Sequence, residues 1–161
     1  MPNLSSRVKR DVTRAAGSSF WRTFILTSSN FTVAQQALTG VASGGSLIIE
    51  KVVLATDSTG LAGMTNVEIG VSGETYGIDK PIVEAASNLG ASAQRQYPSQ
   101  VAAETTNDNQ ITVTCAVPFV LQAGDSLQYS GSGAVGTGAG KVLVAIKFVR
   151  VNDGADVVSA V

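Results

Sequence analysis

Apolar and polar side chains alternate with a period of two residues in several stretches after residue 19, such as 65–72, 110–121 and 141–151, which is the spacing of half-buried strands. Turn residues, such as those of the segment 57–60, separate the alternating stretches. No helical spacing follows residue 17, and no internal repeat is present. The pattern predicts an all-β fold, an antiparallel β-sandwich, with the jelly roll favoured among sandwiches. The predicted strands cover residues 20–26, 30–33, 46–56, 65–72, 110–121, 125–130 and 141–151.

The predicted strands differ in how much surface they should bury. In residues 65–72, Val67, Ile69 and Val71 are expected to face a core, and the residues between them, including Glu68, are expected to face solvent. Residues 46–56 are almost continuously apolar, so this strand is expected to be covered on both faces. Six aromatic side chains in strand contexts are assigned to the core: Phe20, Trp21, Phe24, Phe31, Phe119 and Phe148.

The middle of the chain, residues 77–108, is interrupted by proline and glycine and predicts long loops. Within it, residues 82–89 fit either a strand or one and a half helical turns. Loops commonly carry binding residues. Tyr76, Tyr97 and Tyr129 are the candidates for an outward contact, and Tyr76, next to these loops, and Tyr97, within them, are the possible ligand contacts. Further along, the glycine-rich residues 131–136 are interpreted as a hairpin tip between two strands, because a strand and not a helix follows them.

The composition argues against most catalytic chemistry. The chain has no histidine and one cysteine, so it can form neither an intrachain disulfide nor a metal site built on histidine and cysteine ligands. Cys115 falls on the inward parity of its predicted strand and is interpreted as a buried structural thiol. The run from Gly124 to Leu127 spells a serine-esterase motif, but a serine nucleophile needs a base that this chain lacks. The base that this serine would need is a histidine, and the chain has none, so we predict no enzymatic activity and no cofactor.

Charge divides the chain into a basic arm and a mildly acidic body. Residues 1–22 carry five basic side chains against one acidic one, which leaves six basic and eleven acidic side chains for the rest. We predict an arm at 1–19, a β-sandwich body at 20–151 and a tail at 152–161. Spacings of four, four and three between apolar residues favour a short amphipathic helix over 5–16. The residues expected to dock the arm on a partner are Leu4, Arg7, Val8, Lys9, Arg10, Val12 and Arg14.

The surface should associate with other protein chains. Only 14% of residues are charged, and none lies between Thr23 and Ile49, whereas an isolated soluble domain has about 25%. The pattern predicts burial between subunits, hence a homo-oligomer. For the arm, docking on protein is favoured over a solvated tail and over nucleic acid, because apolar residues interrupt its charge. No apolar run is long enough to span a membrane as a helix, so no membrane partner is expected.

Residues 118–129 read Pro-Phe-Val-Leu-Gln-Ala-Gly-Asp-Ser-Leu-Gln-Tyr and precede the glycine-rich segment and the last predicted strand. This "apolar-x-Ala-Gly-Asp-x-Leu" turn feeding a last hairpin resembles small jelly-roll structural proteins in the virions of tailed bacteriophages, such as capsid decoration proteins and tail or fibre components. The resemblance implies a non-enzymatic trimer or higher oligomer that is located in the virion and fixed to a capsid or tail protein. It transfers no functional residue.

Two other functions remain open at this point. A receptor- or glycan-binding module would use the loops of 77–108, with Tyr76 or Tyr97 as a stacking platform. A genome-packaging jelly-roll coat protein would use the basic arm to neutralise phosphates. The sequence leaves undetermined the host, the stoichiometry and the choice between capsid and tail.

Overall fold

The computed structural model describes residues 16–61, 63–72, 82–98, 118–133 and 138–161, and the structural statements that follow concern these residues. They form nine strands and two short 3₁₀ turns, at Ser28–Asn30 and Ala86–Leu89. The strands are β1 (Ser19–Thr27), β2 (Gln36–Ala37), β3 (Leu47–Thr56), β4 (Met64–Val71), β5 (Ile82–Ala85), β6 (Gln94–Tyr97), β7 (Phe119–Leu121), β8 (Leu127–Gly133) and β9 (Lys141–Arg150).

The strands pair into two antiparallel sheets. One sheet has five strands in the order β1-β9-β3-β6, and β7 pairs with β3 on the same side as β6. The other has four strands in the order β2-β8-β4-β5. Because the chain passes repeatedly from one sheet to the other, the fold is a β-sandwich of the jelly-roll type, as the sequence predicted.

The core lies between the sheets and is filled by alternate residues of the long strands. In β9, Val142, Val144, Ile146 and Phe148 are all fully buried. The ring of Phe31 meets that of Tyr129 edge-on at 5.4 Å between centroids, which is a favourable geometry for aromatic pairs. The alternation read from the sequence therefore identifies the inward side of this strand correctly.

Most predicted strands are confirmed, with small shifts of their ends. The strands predicted at 20–26, 46–56, 65–72, 125–130 and 141–151 correspond to β1, β3, β4, β8 and β9. Residues 82–89 were expected to form either a strand or a short helical segment, and they form a strand, β5, followed by a 3₁₀ turn. Of the segment 110–121, residues 119–121 form β7, whereas 110–117, with Cys115, lie outside the described residues.

The short strand predicted at 30–33 is wrong. Local polar contacts hold this part of the chain in a turn instead: the side-chain oxygen of Asn30 accepts hydrogen bonds from the backbone N–H of Thr27 at 2.7 Å and from its hydroxyl at 2.8 Å. Such side chain to backbone bonds compete with strand pairing. The next strand is β2, which begins only at Gln36.

The glycine-rich segment does not join a hairpin. β8 pairs with β2 and β4, and β9 pairs with β1 and β3, so the chain crosses from one sheet to the other between them. The crossing ends at Gly140, which is buried and lies against the backbone of Gly60. The prediction failed because the alternation marks each strand but does not identify its partner.

Two burial predictions also need correction. Glu68 was expected to face solvent, but it is 6% exposed, and one of its carboxylate oxygens accepts a hydrogen bond from the hydroxyl of Ser130, the residue opposite it on β8. The outer face of the four-stranded sheet is therefore polar and covered here. β3, in contrast, is fully buried on its inner face, while its outer face is only half-buried and Glu50 is exposed.

The C-terminal segment 152–161 packs on its own body. Ala155 and Val157 are buried, and backbone bridges join Ser43 to Asp156 and Thr39 to Ser159. The Asp156 carboxylate accepts a hydrogen bond from the guanidinium of Arg22 at 3.1 Å, which connects the segment to β1.

Candidate interaction surface

The outer face of the five-stranded sheet is exposed and largely apolar, and we call it the apolar face. On β1, odd-numbered residues point outward: Ile25 is 67% exposed and Trp21 47% exposed. Trp21 was expected in the core, and its outward position corrects that prediction. The residue opposite Ile25 on β9 is Leu143, which is also exposed. An exposed apolar side chain is common, but a set of them on one sheet face indicates a contact surface.

The register shows how the apolar face is composed. Ile25, Leu143 and Ala55 form one cross-strand row, and Thr23, Ala145 and Val53 form the next. A third row, at the opposite end of the sheet, contains Val149, Ile48 and the exposed Val120 of β7. The apolar side chains of the face are Trp21, Ile25, Ile48, Val53, Ala55, Val120, Leu143, Ala145 and Val149.

Charge on the apolar face lies at its centre and at one end, where the exposed Lys141 of β9 pairs with Thr27 of β1. Lys147 lies between Trp21 and Lys51 in the register, and its ammonium group is paired with the carboxylate of Glu50. Glu50 sits at the irregularity in the pairing between Ile49 and Lys51, which brings it to the surface beside Lys147. With Lys141 at the end of the sheet, the three cations and one anion leave two net positive charges among rows of uncharged residues.

The apolar face ends at a strand edge. β1 pairs with β9 on one side, and no second strand pairs with it within the residues that the structure describes. It is a nine-residue strand, longer than the average strand of five to six residues. Edge strands of this length expose a row of backbone donors and acceptors.

The residues proposed from the sequence as contacts lie elsewhere. Tyr97 is 4% exposed, on the inner face of β6 opposite Val52, so its ring has no free side for stacking and this candidate is wrong. Its hydroxyl is buried and has no hydrogen-bond partner among the described residues. Tyr76 and the arm residues Leu4, Arg7, Val8, Lys9, Arg10, Val12 and Arg14 lie outside the described residues.

Asp57, which accepts several backbone hydrogen bonds, has a structural role. Asp57 accepts hydrogen bonds from the backbone N–H groups of Gly60 and Thr59, each at 2.9 Å, and from that of Lys141. These bonds, that of Gly60 first, hold the pKa of the Asp57 carboxyl below its ordinary value. The arrangement closes the turn after β3 and ties it to the start of β9.

The described part of the chain offers no metal-binding cluster, and the esterase-like run serves as a turn. No group of three or more histidine, cysteine, aspartate or glutamate side chains is placed to hold a metal ion there. The esterase-like run forms the turn into β8, with Asp125 donating its N–H to the carbonyl of Gln122 at 3.0 Å. Among the described residues, no helix is long and apolar enough to cross a membrane.

The apolar face was not predicted from the sequence, although the residues of β1 and β9 contain evidence for it. In β1 and β9 both parities are apolar at several positions, such as Ile25 beside Leu26 and Leu143 beside Val144. A strand with one face in solvent is expected to be polar on that side. The excess of apolar residues in β1 and β9 therefore indicates that the outer face of these strands is covered as well as the inner one. Cover on both faces was predicted only for the segment that forms β3.

Comparison with known proteins gives a likeness of fold. No protein-family model and no curated protein matches the chain. A chain of the acidic stable capsid structure of Helicobacter pylori bacteriophage KHP30 superposes with a TM-score of 0.50 and 13% identity, covering 88% of this chain and 93% of that one. A chain of the cyanophage Pam1 capsid asymmetric unit gives 0.46 and 14%, with coverage of 93% and 91%. A chain of the capsid of Ralstonia phage GP4 gives 0.45 and 14%, with coverage of 93% and 90%.

Proposed function

We propose that this chain is a non-enzymatic structural protein of a bacteriophage virion, in which it packs against other virion proteins through the apolar face. The observation that carries the proposal is the exposure of Ile25, Trp21 and Leu143 together on one face of the five-stranded sheet. The fold supports it, since the similar KHP30 chain belongs to a capsid structure. Capsid decoration and a tail or fibre component, the two placements expected from the sequence, both remain part of the proposal.

The dimensions of the apolar face suit a specific protein contact. Three strands of nine or ten residues, with the short β6 and β7 sharing a fourth position beside β3, are spaced at about 4.8 Å and make a sheet of roughly 19 by 30 Å. A flat surface of that extent, enlarged by its side chains, approaches the roughly 800 Å² per partner of a standard interface. Fully burying an aliphatic side chain contributes about 1.5–3 kcal/mol, so Ile25 alone, two-thirds exposed, offers about 1–2 kcal/mol to a partner.

The arm supplies a second attachment element in this proposal. The described chain is fixed to the body as far as its first residue: the N–H of Ala16 donates to Asp153 at 2.6 Å and that of Gly17 to the carbonyl of Arg150 at 2.7 Å. The described body therefore begins at a fixed point beside β1, and residues 1–15 of the arm precede that point in the sequence. We propose that their basic and apolar side chains dock on a virion neighbour, and that the assembled form is a trimer or higher oligomer.

The glycan-binding alternative needs Tyr76 or Tyr97 as a stacking platform, and Tyr97 cannot serve because its ring lies in the core. No described residue favours it over the structural role. The genome-packaging alternative depends on arm residues that lie outside the described part of the chain, so no observation raises it to a second candidate.

The proposal is tested by the double substitution Ile25→Glu and Leu143→Glu in a phage whose own copy of the gene is deleted. The copies incorporated per particle are counted by quantitative mass spectrometry of purified virions. Each charge in a buried contact removes at least the transfer energy of the apolar side chain, so a loss of occupancy of about tenfold or more is expected. Val41→Glu is the matched control, since Val41 is 58% exposed and lies outside the five-stranded sheet.

The outcomes separate the two attachment elements. If the double variant is incorporated as well as wild type, the apolar face is not a virion contact. Deletion of residues 1–15 tests the arm: the body should keep its circular-dichroism spectrum, because β1 begins only at Ser19, while occupancy falls. A complete absence of wild-type protein from purified virions would refute the proposed function itself.

A further inference from the structure

The free edge of β1 presents a regular set of backbone groups. At the two ends of the ladder, the N–H of Arg150 donates to the carbonyl of Ser18 and that of Ser28 to the carbonyl of Gly140. In an antiparallel pair, hydrogen-bonded residues alternate with residues whose backbone groups point away. The even-numbered residues of β1 therefore bond to β9. The N–H and C=O groups of Trp21, Thr23 and Ile25 point to the free edge.

This edge lacks the features by which proteins protect their sheets. Lysine, proline, a bulge or an inward charge commonly block pairing with another chain. β1 contains neither lysine nor proline, and its nine residues pair with β9 in unbroken register. Its single charged side chain, Arg22, is turned to the inner side, where it bonds to Asp156 and to the carbonyl of Val157. Only at Thr27 is the outward N–H already occupied, by Asn30.

We infer that β1 pairs in antiparallel orientation with β1 of a second copy of this chain, around a two-fold axis at Thr23. The outward groups belong to odd-numbered residues on both copies, so hydrogen-bonded pairs must join odd to odd. With Thr23 opposite Thr23 of the partner subunit, Trp21 lies opposite Ile25 of the partner subunit and Ile25 opposite the partner subunit's Trp21. Three such pairs form about six backbone hydrogen bonds.

The side chains of this register are complementary. Trp21, Thr23 and Ile25 all point to the apolar face, so each aromatic ring meets a β-branched side chain across the seam, and two threonines meet at the axis. Aromatic and β-branched pairs and threonine pairs are favourable cross-strand neighbours. The charges of the two edges are also compatible. No charged side chain of β1 points to the apolar face, and Arg22, on the inner side, is paired with Asp156, so two identical edges do not repel each other.

A second copy fits the edge better than a partner of another kind. A nucleic acid or a strongly acidic peptide would need cations along the edge, and the seam offers none on its outer side. The area also limits the strength of the contact: a pair of five-residue edges buries much less than the roughly 800 Å² per partner of a stable interface. The dimer is therefore expected to be weak when free and to form at the high local concentration of an assembly.

The pairing would join two apolar faces into one continuous surface across the seam. This role rests on the proposed function, because a doubled face has a use only where a lattice covers it. The pairing itself depends only on β1 and can be measured on the purified protein without any virion.

The register is tested by disulfide trapping of purified Thr23→Cys protein, with Ile25→Cys as the matched control. In the inferred dimer the Cα atoms at position 23 lie about 5.5 Å apart, which a disulfide can bridge. Those at position 25 lie four residues out of register, about 13 Å apart, which it cannot. Thr23→Cys should give at least about tenfold more cross-linked dimer, with the linkage located by peptide mapping. Cys115 is present in both variants, so cross-links through it appear equally.

A second variant measures the non-covalent dimer. Thr23→Lys places two like charges opposite each other at the axis and should weaken the concentration-dependent dimer about tenfold or more in sedimentation equilibrium, while Thr23→Val should retain it. Equal cross-linking at positions 23 and 25, no cross-linking at either, or a dimer unaffected by Thr23→Lys would overturn the inference. Cross-linking at position 23 in a protein that never enters virions would leave the dimer standing and refute the proposed function alone.

Discussion

Gly140 is the position at which the smallest substitution is expected to have the largest effect. It ends the crossing between the sheets, and its carbonyl accepts hydrogen bonds from the N–H of Ser28 at 2.8 Å and from the Ser28 hydroxyl at 3.2 Å. A Cβ atom at Gly140 would lie 1.6 Å from the carbonyl oxygen of Gly60 and 2.7 Å from its carbonyl carbon. Both are backbone atoms, so rotation of a side chain cannot relieve the clash.

The cost of Gly140→Ala follows from the displacement that the clash requires. Ordinary contact begins near 3.4 Å, so one of the two backbones must move by nearly 2 Å. Overpacking of a well-packed site costs about 1–3 kcal/mol, and a shift of this size also breaks the bonds to Ser28, at about 1 kcal/mol each. We expect the free energy of unfolding to fall by about 3–5 kcal/mol, which moves the midpoint of urea unfolding down by about 1.5–2.5 M.

The assay is urea unfolding followed by far-ultraviolet circular dichroism, with Gly90→Ala as the control. A Cβ at Gly90 has its nearest neighbour at 4.0 Å, and the backbone there has a φ of −65°, which alanine adopts freely. The control should unfold within about 0.5 kcal/mol of wild type. A Gly140→Ala variant as stable as the control would show that the close approach of Gly140 to Gly60 is not required by the fold.

Two further predictions concern buried and polar groups of the body. Tyr97→Phe removes a buried hydroxyl that has no hydrogen-bond partner among the described residues, so the free energy of unfolding in urea should rise or stay unchanged; a loss above about 1 kcal/mol would contradict this account of the site. For Asp57, whose folded pKa is lowered, the stabilisation is present above the unfolded pKa of about 4 and is lost as pH falls through the folded value. The stability difference between wild type and Asp57→Asn should therefore shift against wild type from pH 7 to pH 3, and a pH-independent difference in thermal unfolding would refute it.

The sequence predicted best where one face of a strand is buried by its own chain. In β9 the inward residues from Val142 to Phe148 follow the two-residue period without interruption, since the core excludes polar groups at each of them. The all-β class and the sandwich follow from several such strands. The pairing of the strands does not follow from the sequence, because the two-residue period shows which side of a strand is buried but not which strand lies beside it. The supposed hairpin between β8 and β9 failed for that reason.

The exposure of single side chains was predicted less well, and Tyr97 and Trp21 show why. Both are amphipathic aromatics in strands, and residue type alone places neither. Tyr97 lies on the inner parity of β6, opposite Val52, and Trp21 lies on the outer parity of β1, opposite Lys147. The register decides their exposure, and the register becomes known only from the pairing of the sheets.

The two outer faces of the sandwich reverse the arrangement that an isolated protein would favour. On the four-stranded sheet, polar side chains such as Glu68 and Ser130 are buried, which requires hydrogen bonds to offset their desolvation. On the five-stranded sheet, Ile25 and Trp21 are left in water although their burial would be favourable. A covered polar face and an open apolar face are not explained by the stability of one chain. They are explained if the apolar face acquires its cover from another protein, and this same asymmetry makes the charge substitutions at Ile25 and Leu143 informative, because they alter the contact while leaving the core between the sheets intact.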